Sequence, residues 1–139
     1  PYRRRFIDAW HKARSNVPLD PLEQRIAAVV HRHPEYHALL ADEDTAIDKD
    51  WLPEGGDTNP FLHMALHLAL LEQVGADHPP GIRALYDRVL RVHGGDVHDA
   101  EHRFIDCLAE LMWRMQREGR EGDPGPYLDC IRRQTGLPP

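Results

Sequence analysis

At 139 residues and a net charge of -6, the chain is long enough for one hydrophobic core. It is too acidic for a general nucleic-acid or acidic-membrane binder, since both need positive charge to meet phosphate. Two cysteines, Cys107 and Cys130, do not make a secreted disulfide framework, and no apolar run is long enough to span a bilayer. A cytoplasmic location is the default expectation, with no nucleic-acid and no membrane partner.

Proline and glycine cut the chain into helical pieces. Tyr2 to about Ser15 carries Phe6, Ile7 and Trp10 at helical spacing; its basic start lacks the apolar core of a signal peptide. Asp20-Pro21 reads as an N-cap with proline in the first turn, opening a helix over Leu22 to Arg32 with Ile26, Val29 and Val30 facing in. His33-Pro34 stops that helix and starts a short one through Leu40. Ala41 to Thr58 reads as a long acidic loop with one helical turn at most, pinned to the body by Trp51 and Leu52.

Asn59-Pro60 then caps a central helix that is apolar almost all round and ends near Gly75. A further helix runs from about Ile82 to His93, with Leu85, Val89 and Val92 as its buried stripe. Asp96 caps a long fifth helix to about Glu118, whose inward residues are Phe104, Ile105, Leu108, Leu111, Met112 and Met115. A last helix covers Pro126 to Gln134, with Tyr127, Leu128 and Ile131 inward. No strand pattern or internal repeat interrupts this series. The expected fold is all-α: a single-domain bundle of five or six helices over residues 1–139, with one long acidic loop.

Three histidine pairs stand four residues apart: His33/His37, His63/His67 and His98/His102. Two imidazoles one helical turn apart can reach the same metal ion, and a third ligand from another helix would leave an open position for chemistry. Pro34 divides the first pair, so His37 is the better inward candidate of the two. His102 shares a stripe with Ile105 and Ala109 at a helix N-terminus, where partial positive charge favours the neutral imidazole that binds metal. Glu101 beside it is a candidate ligand, or an acceptor for a ligand's other ring nitrogen. The candidate metal set is therefore His37, His63, His67, His102 and Glu101, for a divalent transition metal such as zinc, iron or nickel. Equally open is that His63 and His67 bond to carboxylates or backbone carbonyls, or face solvent. His98 reads as exposed, and His11, His31, His78 and His93 as surface or helix-end residues.

No high-specificity motif accompanies the pairs. Met64 stands where a metalloprotease would place glutamate, and the paired Glu-x-x-His motifs of di-iron bundles are absent. The acidic loop lacks the ligand spacing of an EF-hand, and no glycine-rich phosphate loop follows a strand. Cys107, set among Phe104, Leu108 and Leu111, reads as a packed residue rather than a nucleophile. Arg83, in the first turn of its helix, calls for a carboxylate partner or an anion.

His33-Pro34-Glu35-Tyr36-His37, Pro53-Glu54-Gly55-Gly56, Asn59-Pro60-Phe61-Leu62-His63, His67-Leu68-Ala69, Glu72-Gln73, Pro79-Pro80-Gly81-Ile82-Arg83, Glu101-His102 and Cys107-Leu108 occur together here, after Ala9-Trp10. This set resembles a family of small uncharacterised bacterial proteins known as a domain of unknown function. The resemblance covers nearly the whole chain and implies a bacterial source and a free-standing domain, but brings no activity. Two functional expectations follow from the residues. One is an interhelical histidine metal site, with metal-assisted hydrolysis or hydration as its natural chemistry. The other is a non-enzymatic module with structural histidines, which docks an unknown protein partner or a second copy.

Overall fold

The computed structural model describes residues 2–49, 51, 59–119 and 123–137. These form eight α-helices and one short 3-10 helix: α1 (Tyr2–Arg14), α2 (Pro21–His31), the 3-10 turn (Pro34–Tyr36), α3 (His37–Ala41), α4 (Glu43–Asp48), α5 (Pro60–Ala76), α6 (Ile82–Val92), α7 (Val97–Glu118) and α8 (Gly125–Thr135). No strand occurs among the described residues. The all-α expectation holds, and the expected count of five or six helices is corrected to eight. The difference lies between Pro34 and Asp48. There Asp42 ends α3 and also caps α4, accepting from the Thr45 hydroxyl at 2.8 Å and the Thr45 N–H at 3.4 Å. Leu52 and the Gly55-Gly56 stretch of the acidic segment lie outside the described residues.

The chain divides into two compact units, residues 1–68 and 69–139, with the boundary inside α5. In the first, α1 packs on α2, α3 and α4. Phe6, Ile7, Ala9 and Trp10 form its buried face, against Ile26, Val29, Val30, Leu40, Ala46 and Phe61. Phe6 and Phe61 meet edge to face, with centroids 6.2 Å apart. The Arg3 guanidinium closes the end of α4, donating to the carbonyls of Ile47 (3.1 Å) and Lys49 (2.8 Å). It also lies 5.2 Å from the Trp51 ring, which meets Phe61 edge to face at 6.1 Å, so Trp51 is pinned to this unit as expected.

In the second unit, α7 packs on α6 and α8. Its core is Leu70, Ile82, Leu85, Val89, Ala100, Phe104, Ile105, Leu108, Tyr127 and Ile131. Two expected inward residues face out: Val92, in the last turn of α6, is 56% exposed, and Met112 is 44% exposed. Met112 lines an open groove with Leu108, Leu111 and Met115, where Ala69 and Ala76 are too small to cover it. Among the described residues the Arg83 guanidinium meets no carboxylate; it donates to the carbonyls of Val74 (3.0 Å) and Gly75 (2.5 Å), near the C-terminal end of α5, while the Arg83 backbone N–H donates to Asp77 Oδ1 at 3.0 Å. Cys107 and Cys130 are joined as a disulfide, with Cα atoms 5.8 Å apart, linking α7 to α8.

Candidate metal centre

The site grows from the way α2 ends. Pro34 has no N–H, so the Val30 carbonyl loses the donor that a continuing helix would supply four residues on. The His33 backbone N–H tightens onto Val30 O at 2.9 Å instead, which leaves Val29 O without its i+4 donor. The imidazoles fill these places. His33 Nδ1–H donates to Val29 O at 2.7 Å, and His37 Nε2–H donates to Val30 O at 2.8 Å. In neutral His33 the Nδ1 proton is thereby fixed and Nε2 carries the lone pair, as in a metal-binding imidazole whose other ring nitrogen is held by a backbone carbonyl.

His33 has no exposed surface, and its ring packs against two others. Its centroid lies 4.6 Å from that of His67 and 5.2 Å from that of His63, both near perpendicular. α5 brings those two together by its pitch: His63 and His67 are one turn apart, with their Nε2 atoms 3.2 Å from each other. His67 is 1% exposed, whereas His63 is half-buried. One coordinating nitrogen from each of His33, His63 and His67 lies within 4.8 Å of the others.

Zinc–nitrogen bonds of about 2.0–2.1 Å in a tetrahedron put ligand nitrogens about 3.3 Å apart. The His63–His67 separation of 3.2 Å is already at that value, and the His33 nitrogen, within 4.8 Å of the others, has at most about 1.5 Å to close, within the reach of a rotation of its ring. Three neutral imidazoles suit zinc, copper, nickel or iron better than magnesium or calcium, which prefer oxygen. Tyr36 stacks flat on His33, 5.7 Å centroid to centroid, and burial, with the Glu35 charge second, raises its phenol above the ordinary tyrosine pKa.

His63 and His67 come together. His37 does not join them: its Nε2 is committed to Val30 O, and its ring lies against Trp10 at 4.5 Å. His33, passed over because proline follows it, is a fully buried ring of the trio. The signal was in the sequence, since His-Pro at a helix end leaves carbonyls that an imidazole can satisfy. His102 and Glu101 belong to the second unit. There His102 is half-buried beside His98, which is exposed as expected, centroids 4.1 Å apart, and Glu101 is fully buried and accepts from the Tyr86 hydroxyl at 2.8 Å. Of the outer histidines, His93 Nδ1 lies 3.4 Å from Asp99 Oδ2, and His11, His31 and His78 are exposed.

No curated protein and no solved structure matches the chain. A family profile described as "Domain of unknown function (DUF1841)" matches residues 1–133, a span that contains every histidine of the trio. The chain therefore belongs to the DUF1841 family, a domain of unknown function.

Proposed function

We propose that this protein binds one divalent transition-metal ion, such as zinc, iron or nickel, through His33, His63 and His67. The observation that carries this reading is His33: a buried imidazole with its Nδ1 proton fixed on Val29 O, set against two rings whose nitrogens already stand at chelating separation. The half-buried side of His63 gives water a route to the ion. Hydrolysis or hydration by an activated water is the natural chemistry of such a site. His102 and Glu101, by their sequence positions, are the candidates for a further ligand.

The test is elemental analysis of protein purified without an affinity tag, with thermal shifts on adding zinc, nickel, cobalt or iron. A stoichiometric ion is expected, lost in the His63→Ala/His67→Ala protein. His33→Gln is expected to weaken binding by more than about 100-fold. Affinity should fall as the solution is acidified, because protons compete with the ion for the imidazole nitrogens. A folded protein, checked by circular dichroism, that holds no ion and shifts with none of the four metals would end this reading. Replacing His102 or Glu101 asks separately whether either contributes.

The 3.2 Å separation also fits a direct N–H···N hydrogen bond between His63 and His67, which supports a second reading. On that reading the histidines are structural and the protein is a docking or assembly module. The double replacement would then change stability or assembly alone, with no ion to lose.

A further inference from the structure

The face of α5 opposite the histidines bears Leu62, Ala65 and Leu68, three residues apart, and this stripe borders a cleft in the first unit. The cleft has a volume of ≈ 330 Å³, at the lower end of the range for small-ligand pockets. Its floor is apolar and buried: Phe6 is 2% exposed and Ile26 3%. Its rim holds two of the large apolar side chains that the protein leaves in water, Tyr2 at 47% and Leu62 at 51%. One cation, Arg5, stands among these lining residues. Among the described residues its guanidinium has no ion pair or side-chain hydrogen bond.

A small polar cleft shares Arg5, Leu22 and Ile26 with it and is bordered by Lys12, Asp8, Asp20 and Glu23. Two of those carboxylates are engaged elsewhere. Glu23 accepts from Lys12 Nζ at 2.6 Å and from the Asp20 N–H at 3.0 Å, while Asp20 accepts from the Glu23 N–H at 2.8 Å. The third, Asp8, acts on the charge of the Lys12 ammonium, and none of the three pairs with Arg5. The apolar cleft thus joins a greasy interior to one unpaired positive group at its edge.

We infer that this cleft binds a straight-chain alkyl carboxylate of medium length, about eight to ten carbons. The chain would lie over Phe6 and Ile26 while the carboxylate meets the Arg5 guanidinium. A fully apolar ligand would leave the cation unanswered, and an alkylamine would be repelled by it. The site is separate from the histidine trio, so it stands or falls without the metal.

Calorimetric titration of the whole protein with hexanoate, octanoate and decanoate, below their micellar concentrations, tests the inference. Affinity is expected to rise by about fourfold per added methylene and to level off once the cleft is full. Octanol should bind about tenfold more weakly than octanoate, and octylamine should not bind measurably. Arg5→Gln, at an exposed position, should bring octanoate down to the level of octanol and leave octanol unchanged. Ala65→Phe should remove binding of both by filling the space. Equal affinity for the acid and the alcohol, no saturable binding by wild-type protein, or undiminished binding in a folded Ala65→Phe protein would each overturn it. So would a concentration-dependent rise in mass that octanoate does not reverse, since a second copy would then occupy the cleft.

Discussion

Tyr127 has no exposed surface, and its hydroxyl donates to Gln73 Oε1 at 2.8 Å. Burial pushes this phenol well above the ordinary tyrosine range. A raised value in the folded state means that the folded protein holds the proton more tightly. The contribution is complete below the unfolded value of about 10 and is lost as pH rises beyond it. Tyr127→Phe should therefore cost about 1 kcal/mol at pH 7, where it strips Gln73 of its donor, and the deficit should shrink by pH 11. Urea midpoints of both proteins at the two pH values measure this; a deficit that persists unchanged at pH 11 would contradict it. Tyr127 was readable as an inward residue from its spacing with Ile131 alone. His63 and His67 were readable as a pair for the same reason, being one turn apart on a continuous helix. His33 was not readable by spacing, because its signal lies in which carbonyls a proline leaves unserved, a matter of hydrogen-bond accounting rather than of periodicity.

The long helices announce their own ends. Asp20 and Glu23 form a reciprocal capping box before Pro21, Asn59 Oδ1 accepts from Phe61 N–H at 2.9 Å, and Asp96 accepts from Asp99 N–H at 3.1 Å. α7 closes at Gly119, whose φ of 70° suits a residue without a Cβ. Such signals are local, so α2, α5 and α7 could be placed from sequence within a residue or two. Asp20→Ala removes one half of the box at α2 and is expected to destabilise the protein by about 1 kcal/mol, with Asp20→Asn nearly neutral. Equal losses for the two variants in denaturant titrations would show that the cap is not the reason. Helices α3 and α4 were harder to see: at five and six residues they are too short to show a periodic face, and contacts with α1 hold them in place. Arg83 was misjudged for a related reason. The helix dipole of its own element disfavours it, but the open carbonyls of the preceding helix outweigh that.

At the scale of the chain, the feature that no pattern foretold is the Cys107–Cys130 bridge. The two residues are 23 positions apart on separate helices, and neither has a motif around it. The cytoplasmic expectation leaned partly on the cysteine count, and the pairing takes that support away. That no described helix is long and apolar enough to cross a membrane still stands. Closing a loop of this length is worth about 3 kcal/mol through the unfolded chain. Reduction, or Cys107→Ala with Cys130→Ala, should lower the melting temperature by on the order of 10 °C. An unchanged Tm in the double variant would show that the second unit owes the bridge nothing. The bridge lies wholly within residues 69–139 and the histidine trio wholly within 1–68. If the trio holds an ion as proposed, a purified batch is a mixture along two axes, thiol or bridged and loaded or empty. Heterogeneity between preparations is then to be expected of the molecule itself, and intact mass together with ion content sorts its four species.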